Sequence, residues 1–147
     1  MKDAITVGDI EIFRYVVRDD KMVPNLYAES ADYRMMPRVF ATGFMVGLLE
    51  WCAIIALRRV LDEGEGSLGT LVDIRHSSPT PAGVELTVTA VCMKVEPPYY
   101  EWDVTAIDGD GDIAASGRHG RNIIITERFQ RRVDAKADRL ARRRSIT

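Results

Sequence analysis

Glu50 lies between Leu49 and Trp51, inside the most hydrophobic run of the chain, RVFATGFMVGLLEWCAIIALRRV from Arg38 to Val60. Taking a carboxylate out of water costs several kcal/mol unless partners compensate. A partner is available in His76, which closes the strand-like run TLVDIRH. A carboxylate and an imidazole held together away from water shift each other's pKa toward values useful for proton transfer. Thr42 adds a hydroxyl near the start of the same apolar run, where unsatisfied helix amides can also steady an oxyanion. Such a trio brings together proton transfer and oxyanion stabilisation, and by itself specifies no reaction. Each residue also has an ordinary role: Thr42 bonding its own backbone, His76 as a structural or exposed strand histidine, Glu50 reaching solvent from a helix edge.

Other motifs carry less. Gly64-Glu65-Gly66-Ser67-Leu68-Gly69 fits GxGxxG, but a dinucleotide fingerprint follows a strand and opens a helix, and here the order is reversed. Asp108-Gly109-Asp110-Gly111-Asp112 begins like a calcium loop, yet Ile113 and His119 stand where the loop needs glycine and glutamate. A hairpin turn is the expectation there. With two histidines and no close Cys/His cluster, no metal site is predicted. Cys52 and Cys92 fall in apolar runs and read as buried free thiols.

These residues need elements to position them. Glu11 to Arg18 reads as a first strand. Residues 22–37, with Pro24, Tyr27, Tyr33, Met35, Met36 and Pro37, read as an irregular segment able to lie over a pocket as a lid. Pro37 can open the helix that runs to Val60, which is apolar nearly all round and so predicted to be buried on most faces. Gly43 and Gly47, four apart, would let another backbone approach. Arg58 and Arg59 suit the helix C-terminus, and Gly64 and Gly66 its stop. Period-two patterns then place strands at about Ser67–Ser77, Val84–Val95, Tyr99–Ile107 and Ile113–Ile125. Residues 127–147 read as a basic terminal helix or tail. The layout is α+β, an antiparallel five-stranded sheet wrapped around one long central helix.

The 147 residues suit one domain spanning 1–147. A net charge of −2 conceals a tail with eight basic and three acidic residues from Glu127 onward. That tail has one aromatic, Phe129, and reads as a solvated helix face rather than a nucleic-acid surface. No run is long and apolar enough for a membrane span, and the N-terminus lacks a signal-peptide core. No nucleic acid and no membrane are therefore expected as partners, and cytoplasm is the expected compartment.

The segments FATGFMVGLLEW and GEGSLGT, with the strand ending in His76 before SSPTPAG, strongly resemble the fluoroacetyl-coenzyme A thioesterases of hotdog fold. The likeness is read from Met1 to about Phe129, strongest from Phe40 to Gly83, with the basic tail outside it. The resemblance implies a homodimer whose sheets join edge to edge, with active sites between subunits. It implies hydrolysis of a short acyl-CoA, possibly fluoroacetyl-CoA, with no cofactor beyond the coenzyme A of the substrate. It also implies Thr42, Glu50 and His76 as catalytic residues, with Gly69 holding the thioester carbonyl and Arg121 near the site. Tyr27, Tyr33, Met36 and Phe40 fall at substrate-binding positions, where Tyr33 and Met36 replace phenylalanines. Thr42 and Glu50 are eight residues apart, about 12 Å along a helix. They cannot touch within one helix, so the substrate spans them or the partner subunit supplies one. A hotdog dehydratase or hydratase and a non-catalytic acyl-CoA binding module are the rival readings.

Overall fold

A computed structural model describes residues 4–146. Residues 1–3 and 147, included in the expected 1–147 domain, lie outside the described residues. Five strands, β1 (Ile10–Val16), β2 (Glu65–His76), β3 (Glu85–Glu96), β4 (Tyr99–Ile107) and β5 (Ile113–Ile125), form one sheet ordered β1-β3-β4-β5-β2. Every neighbouring pair is antiparallel. Four α-helices interrupt or follow them: α1 (Val23–Leu26), α2 (Ala31–Arg34), α3 (Thr42–Arg58) and α4 (Thr126–Ile146). The fold class is as expected, α+β with a five-stranded antiparallel sheet around α3.

The sheet closes on α3 because their periodicities agree. Met45, Leu48, Leu49, Cys52, Ala53, Ala56 and Leu57 recur at three- and four-residue spacing and are buried. Against them stand the inward positions of β3 (Leu86, Val88, Ala90) and of β4 (Trp102, Val104, Ala106), all buried. Truncating one of the large residues, such as Leu49→Ala, costs about 2–5 kcal/mol. The expected burial of α3 on most faces is corrected: Trp51 is 45% and Ile54 37% exposed. The opposite flank of the helix is apolar but open in a single chain.

Pro37 does not open α3. The chain stays extended at Phe40, which bridges Met22 and donates its N–H to the Thr80 carbonyl at 2.8 Å. Helical bonding starts only with Met45 N–H to Ala41 carbonyl at 2.8 Å, making Thr42 the first helical residue. Residues 22–37 form the two single-turn helices α1 and α2, the second capped by Ser30 Oγ accepting from the Tyr33 amide. Gly43 seats α1: a Cβ there would meet the Leu26 side chain at 2.9 Å. The expected approach of another backbone at Gly43 is therefore replaced by a side chain of the same chain, while Gly47 is open.

β2 lies at one edge of the sheet, and its Leu68 and Val72 are 38% and 52% exposed. Its register on β5 shifts between Gly69 and Leu71, a bulge that bends the strand. Leaving β5 directly, α4 packs at its start on β5 and β2.

Candidate active site

Two clusters of polar groups gather on α3, one at its first residue and one at its midpoint. In the first, Thr42 Oγ1 lies 2.8 Å from His76 Nδ1. The extended entry through Phe40 puts Thr42 in the first helical turn, whose amides lack intrahelical partners, and His76 is the last residue of β2. Val23, Val39, Phe40, Ser77 and Pro79 join them around a pocket of about 250 Å³. Burial pushes the His76 pKa below the usual imidazole value, so the ring is neutral and can accept a proton. Its Nε2 is buried without a hydrogen-bond partner among the described residues. An orphaned ring nitrogen beside a hydroxyl is a costly arrangement in a finished core and a natural one at a site awaiting substrate.

The second cluster holds Glu50. Its Oε2 accepts a hydrogen bond from Arg121 Nη1 at 3.0 Å, and its side chain is 31% exposed. Arg121 is itself pinned: Nε donates to Ser67 Oγ and Nη2 to the Ser67 carbonyl, both at 2.9 Å. His119 completes the arrangement. Its Nδ1 lies 2.9 Å from the Leu71 carbonyl, which can only accept, so Nδ1 carries the proton. That leaves Nε2 to accept from Arg121 Nη1 at 3.1 Å. Burial lowers the His119 pKa, with the adjacent Arg121 charge adding and the Leu71 carbonyl and Glu50 opposing. Neutral His119 thus orients the guanidinium, and the guanidinium orients the carboxylate. Burial also lowers the Arg121 pKa while Glu50 opposes, and the group remains a cation at neutral pH.

Gly69 faces this cluster. A Cβ built there would lie 2.7 Å from Glu50 Oε2 and 3.0 Å from His119 Cε1. The absent side chain keeps space over the carboxylate for a reacting group.

The expected meeting of Glu50 with His76 does not occur within one chain. Glu50 is bound to Arg121, His76 to Thr42, and eight residues of helix, about 12 Å, separate the two clusters. Glu50 is also less buried than its apolar neighbours suggest, because it emerges on the open flank of α3. Gly69 and Arg121 do join Glu50. Phe40, 2% exposed, lines the Thr42–His76 pocket. The Tyr27 and Tyr33 rings pack 5.3 Å apart, and Met36 is 50% exposed. None of these three lines that pocket, to which the 22–37 segment contributes Val23.

Sequence reasoning does not single out His119 or Ser67 for this site; His119 enters it only as the residue standing where a calcium loop needs glutamate. The available signal was spacing: His119 and Arg121 are two apart on a strand and so share its inward face. Among the described residues Asp108, Asp110 and Asp112 do cluster, in the β4–β5 hairpin turn that was expected. Cys52 and Cys92 are buried free thiols, as expected; burial first, then Glu11, pushes Cys52 up to about 12. Burial pushes the Cys92 thiol up as well.

An antiparallel sheet wrapped on one helix, with a clamped carboxylate and a hydroxyl–imidazole pair at its open edge, defines a hotdog thioesterase. Residues 14–127 match the fluoroacetyl-CoA-specific thioesterases as a family. A fluoroacetyl-CoA thioesterase of Streptantibioticus cattleyicolor is 44% identical over 136 residues, 92% of this chain and 97% of that one. A solved fluoroacetyl-CoA thioesterase superposes with a TM-score of 0.88 at 43% identity, covering 91% of this chain and 98% of that one. A mutant of a fluoroacetyl-CoA-specific thioesterase, solved with fluoroacetate and CoA, gives 0.82 at 44% identity over 85% and 99%. The chain belongs to the fluoroacetyl-CoA-specific thioesterase family. A match of 136 residues necessarily runs beyond Phe129, so the limit read from the sequence falls short and part of α4 lies within the likeness.

Proposed function

We propose that the chain hydrolyses a short acyl-CoA thioester to the free acid and coenzyme A, as a homodimer whose subunits share each active site. The observation that carries this is the Glu50 carboxylate, held at 3.0 Å by a buried Arg121 beneath the open face of Gly69. A carboxylate fixed next to free space is placed to activate water or to attack a carbonyl directly. The Gly69 amide and the first-turn amides and hydroxyl at Thr42 would steady the oxyanion, and neutral His76 would carry the proton to the thiolate.

Dimerisation supplies what one chain lacks. The exposed β2 edge, with Leu68 and Val72, is long enough to pair with its copy. Antiparallel pairing about a two-fold axis sets the Glu65 end of one β2 beside the His76 end of the other. Glu50 of one subunit would then face the Thr42–His76 pair of the partner. The acyl group is small, in keeping with a pocket of about 250 Å³. Flexible Met36, half-exposed, favours acceptance of acetyl and related acyl groups alongside fluoroacetyl.

A thiol-release assay over acetyl, fluoroacetyl, propionyl, malonyl and longer thioesters tests the reading. Turnover should peak among the two- and three-carbon acyl groups and fall about 10²–10⁴-fold in Glu50→Gln. Enoyl hydration without thiol release, or near-normal turnover in Glu50→Gln, would overturn it.

A further inference from the structure

α4 is a 21-residue helix whose described side chains beyond Phe129 are exposed, and several of its cations gather on one face. At 100° per residue, Arg128, Arg132, Lys136 and Arg139 fall within one arc of about 80°. Phe129, Val133 and Leu140 form the adjoining stripe. The three acidic residues Glu127, Asp134 and Asp138 occupy the opposite side, where Glu127 bonds Arg131 at 3.1 Å and Asp134 bonds Gln130 at 2.9 Å. Two grooves run along the basic side. One, of about 260 Å³, lies between Ile123, Ile125, Arg128, Phe129 and Arg132. The other, of about 450 Å³, is an open hollow between side chains of α4 alone, from Phe129 and Arg132 to Lys136 and Arg139. The Arg132 guanidinium sits 6.0 Å over the Phe129 ring.

We propose that this face of α4 binds the nucleotide end of coenzyme A, its phosphates on Arg128, Arg132, Lys136 and Arg139 and its adenine against Phe129. The inference rests on the acyl-CoA reading above. Four cations spread over about 16 Å of helix suit a compact ligand with a few phosphates. An aromatic ring with a guanidinium across it suits a purine. The same strand leads to the reaction centre: Arg121 lies five residues before Thr126, about 16 Å along an extended chain, leaving room for the pantetheine arm. In the proposed dimer, the β2 end beside α4 also lies next to the partner's His76. Self-association of this face is opposed by its charge, since two copies related by a two-fold axis would bring arginines together.

The test replaces Arg128, Arg132, Lys136 and Arg139 by glutamine in the full chain. KM for acetyl-CoA should rise about tenfold or more with kcat retained, and the KM of wild type should climb with salt. KM for acetyl-pantetheine, which lacks the nucleotide, should be the same in both proteins. Calorimetry should detect adenosine bisphosphate binding to wild type and not to the variant, a readout independent of thioester hydrolysis. Equal acetyl-CoA KM values, or parallel loss with acetyl-pantetheine, would overturn the proposal. So would tighter binding of phosphatidylglycerol vesicles or a short RNA than of adenosine bisphosphate.

Discussion

Replacing Gly69 with alanine probes the carboxylate without touching it. The added Cβ would lie 2.7 Å from Glu50 Oε2, 3.0 Å from His119 Cε1 and 3.4 Å from Arg121 Nη1. His119 is fully buried and Arg121 is tied down by three hydrogen bonds besides the one to Glu50, so neither can give way. Glu50, part-exposed at the end of a flexible side chain, must yield, by roughly 0.7 Å to reach ordinary contact. That movement breaks or lengthens its 3.0 Å bond to Arg121. A hydrogen bond between charged groups is worth about 1.5–3 kcal/mol, and partial exposure favours the lower end. If the bond orients the carboxylate in the transition state, kcat/KM falls roughly 10- to 100-fold. Thiol release from acetyl-CoA measures the rate, and thermal melting checks that the fold survives. The decisive comparison is a double-mutant cycle: in a Glu50→Gln background, Gly69→Ala should cost almost nothing further. Wild-type rates in Gly69→Ala, or an equal cost in both backgrounds, would refute the reasoning.

Other outcomes follow from the same geometry. His119→Leu strips Arg121 of an acceptor and should lower kcat by about tenfold, while His119→Gln restores an acceptor and most of the rate; equal losses in both would remove the orienting role. His76 and His119 both have pKa values below 6.5 because of burial. The unfolded chain therefore takes up protons first, so their contribution to stability is full above about 6.5 and is lost as pH falls through the lowered folded values. Urea midpoints should drop as pH falls from about 7.5 to about 5, less steeply in His119→Gln; the same slope in both proteins would contradict this. Cys52, pushed up to about 12 and buried, should resist iodoacetamide in the native enzyme, with activity intact. Val72→Lys, on the exposed β2 edge, should yield monomers by sedimentation and abolish turnover, whereas an active monomer would exclude a shared site.

Much of the scaffold was legible because its signals are local. β4 and β5 begin and end where period-two alternation and flanking turn residues put them, and the buried positions of α3 follow helical spacing. The start of α3 was not legible. Pro37 is a good first-turn residue, but the Phe40 amide is claimed by Thr80, forty residues on, and that long-range bond keeps the chain extended for one more turn. Thr42, Glu50, Gly69, His76 and Arg121 stood out in the sequence through type, setting and family resemblance. Their partners did not, because pairing depends on strand register. Gly69 pairs with Arg121 just before the bulge of β2 on β5, and the Leu71 carbonyl that holds buried His119 comes just after it. The breadth of the apolar surface on α3 read as burial, whereas Trp51 and Ile54 remain open on one chain.

Subunit mixing tests the shared site most directly. Glu50→Gln and His76→Ala proteins, each inactive alone, are co-refolded from denaturant and assayed for thiol release from acetyl-CoA. With Glu50 of one subunit working against the partner's Thr42–His76 pair, half of the chains pair unlike and each such dimer regains one intact site. Activity should return to about a quarter of the wild-type level. A mixture as silent as its parents, although heterodimers have formed, would contradict a site assembled from two subunits.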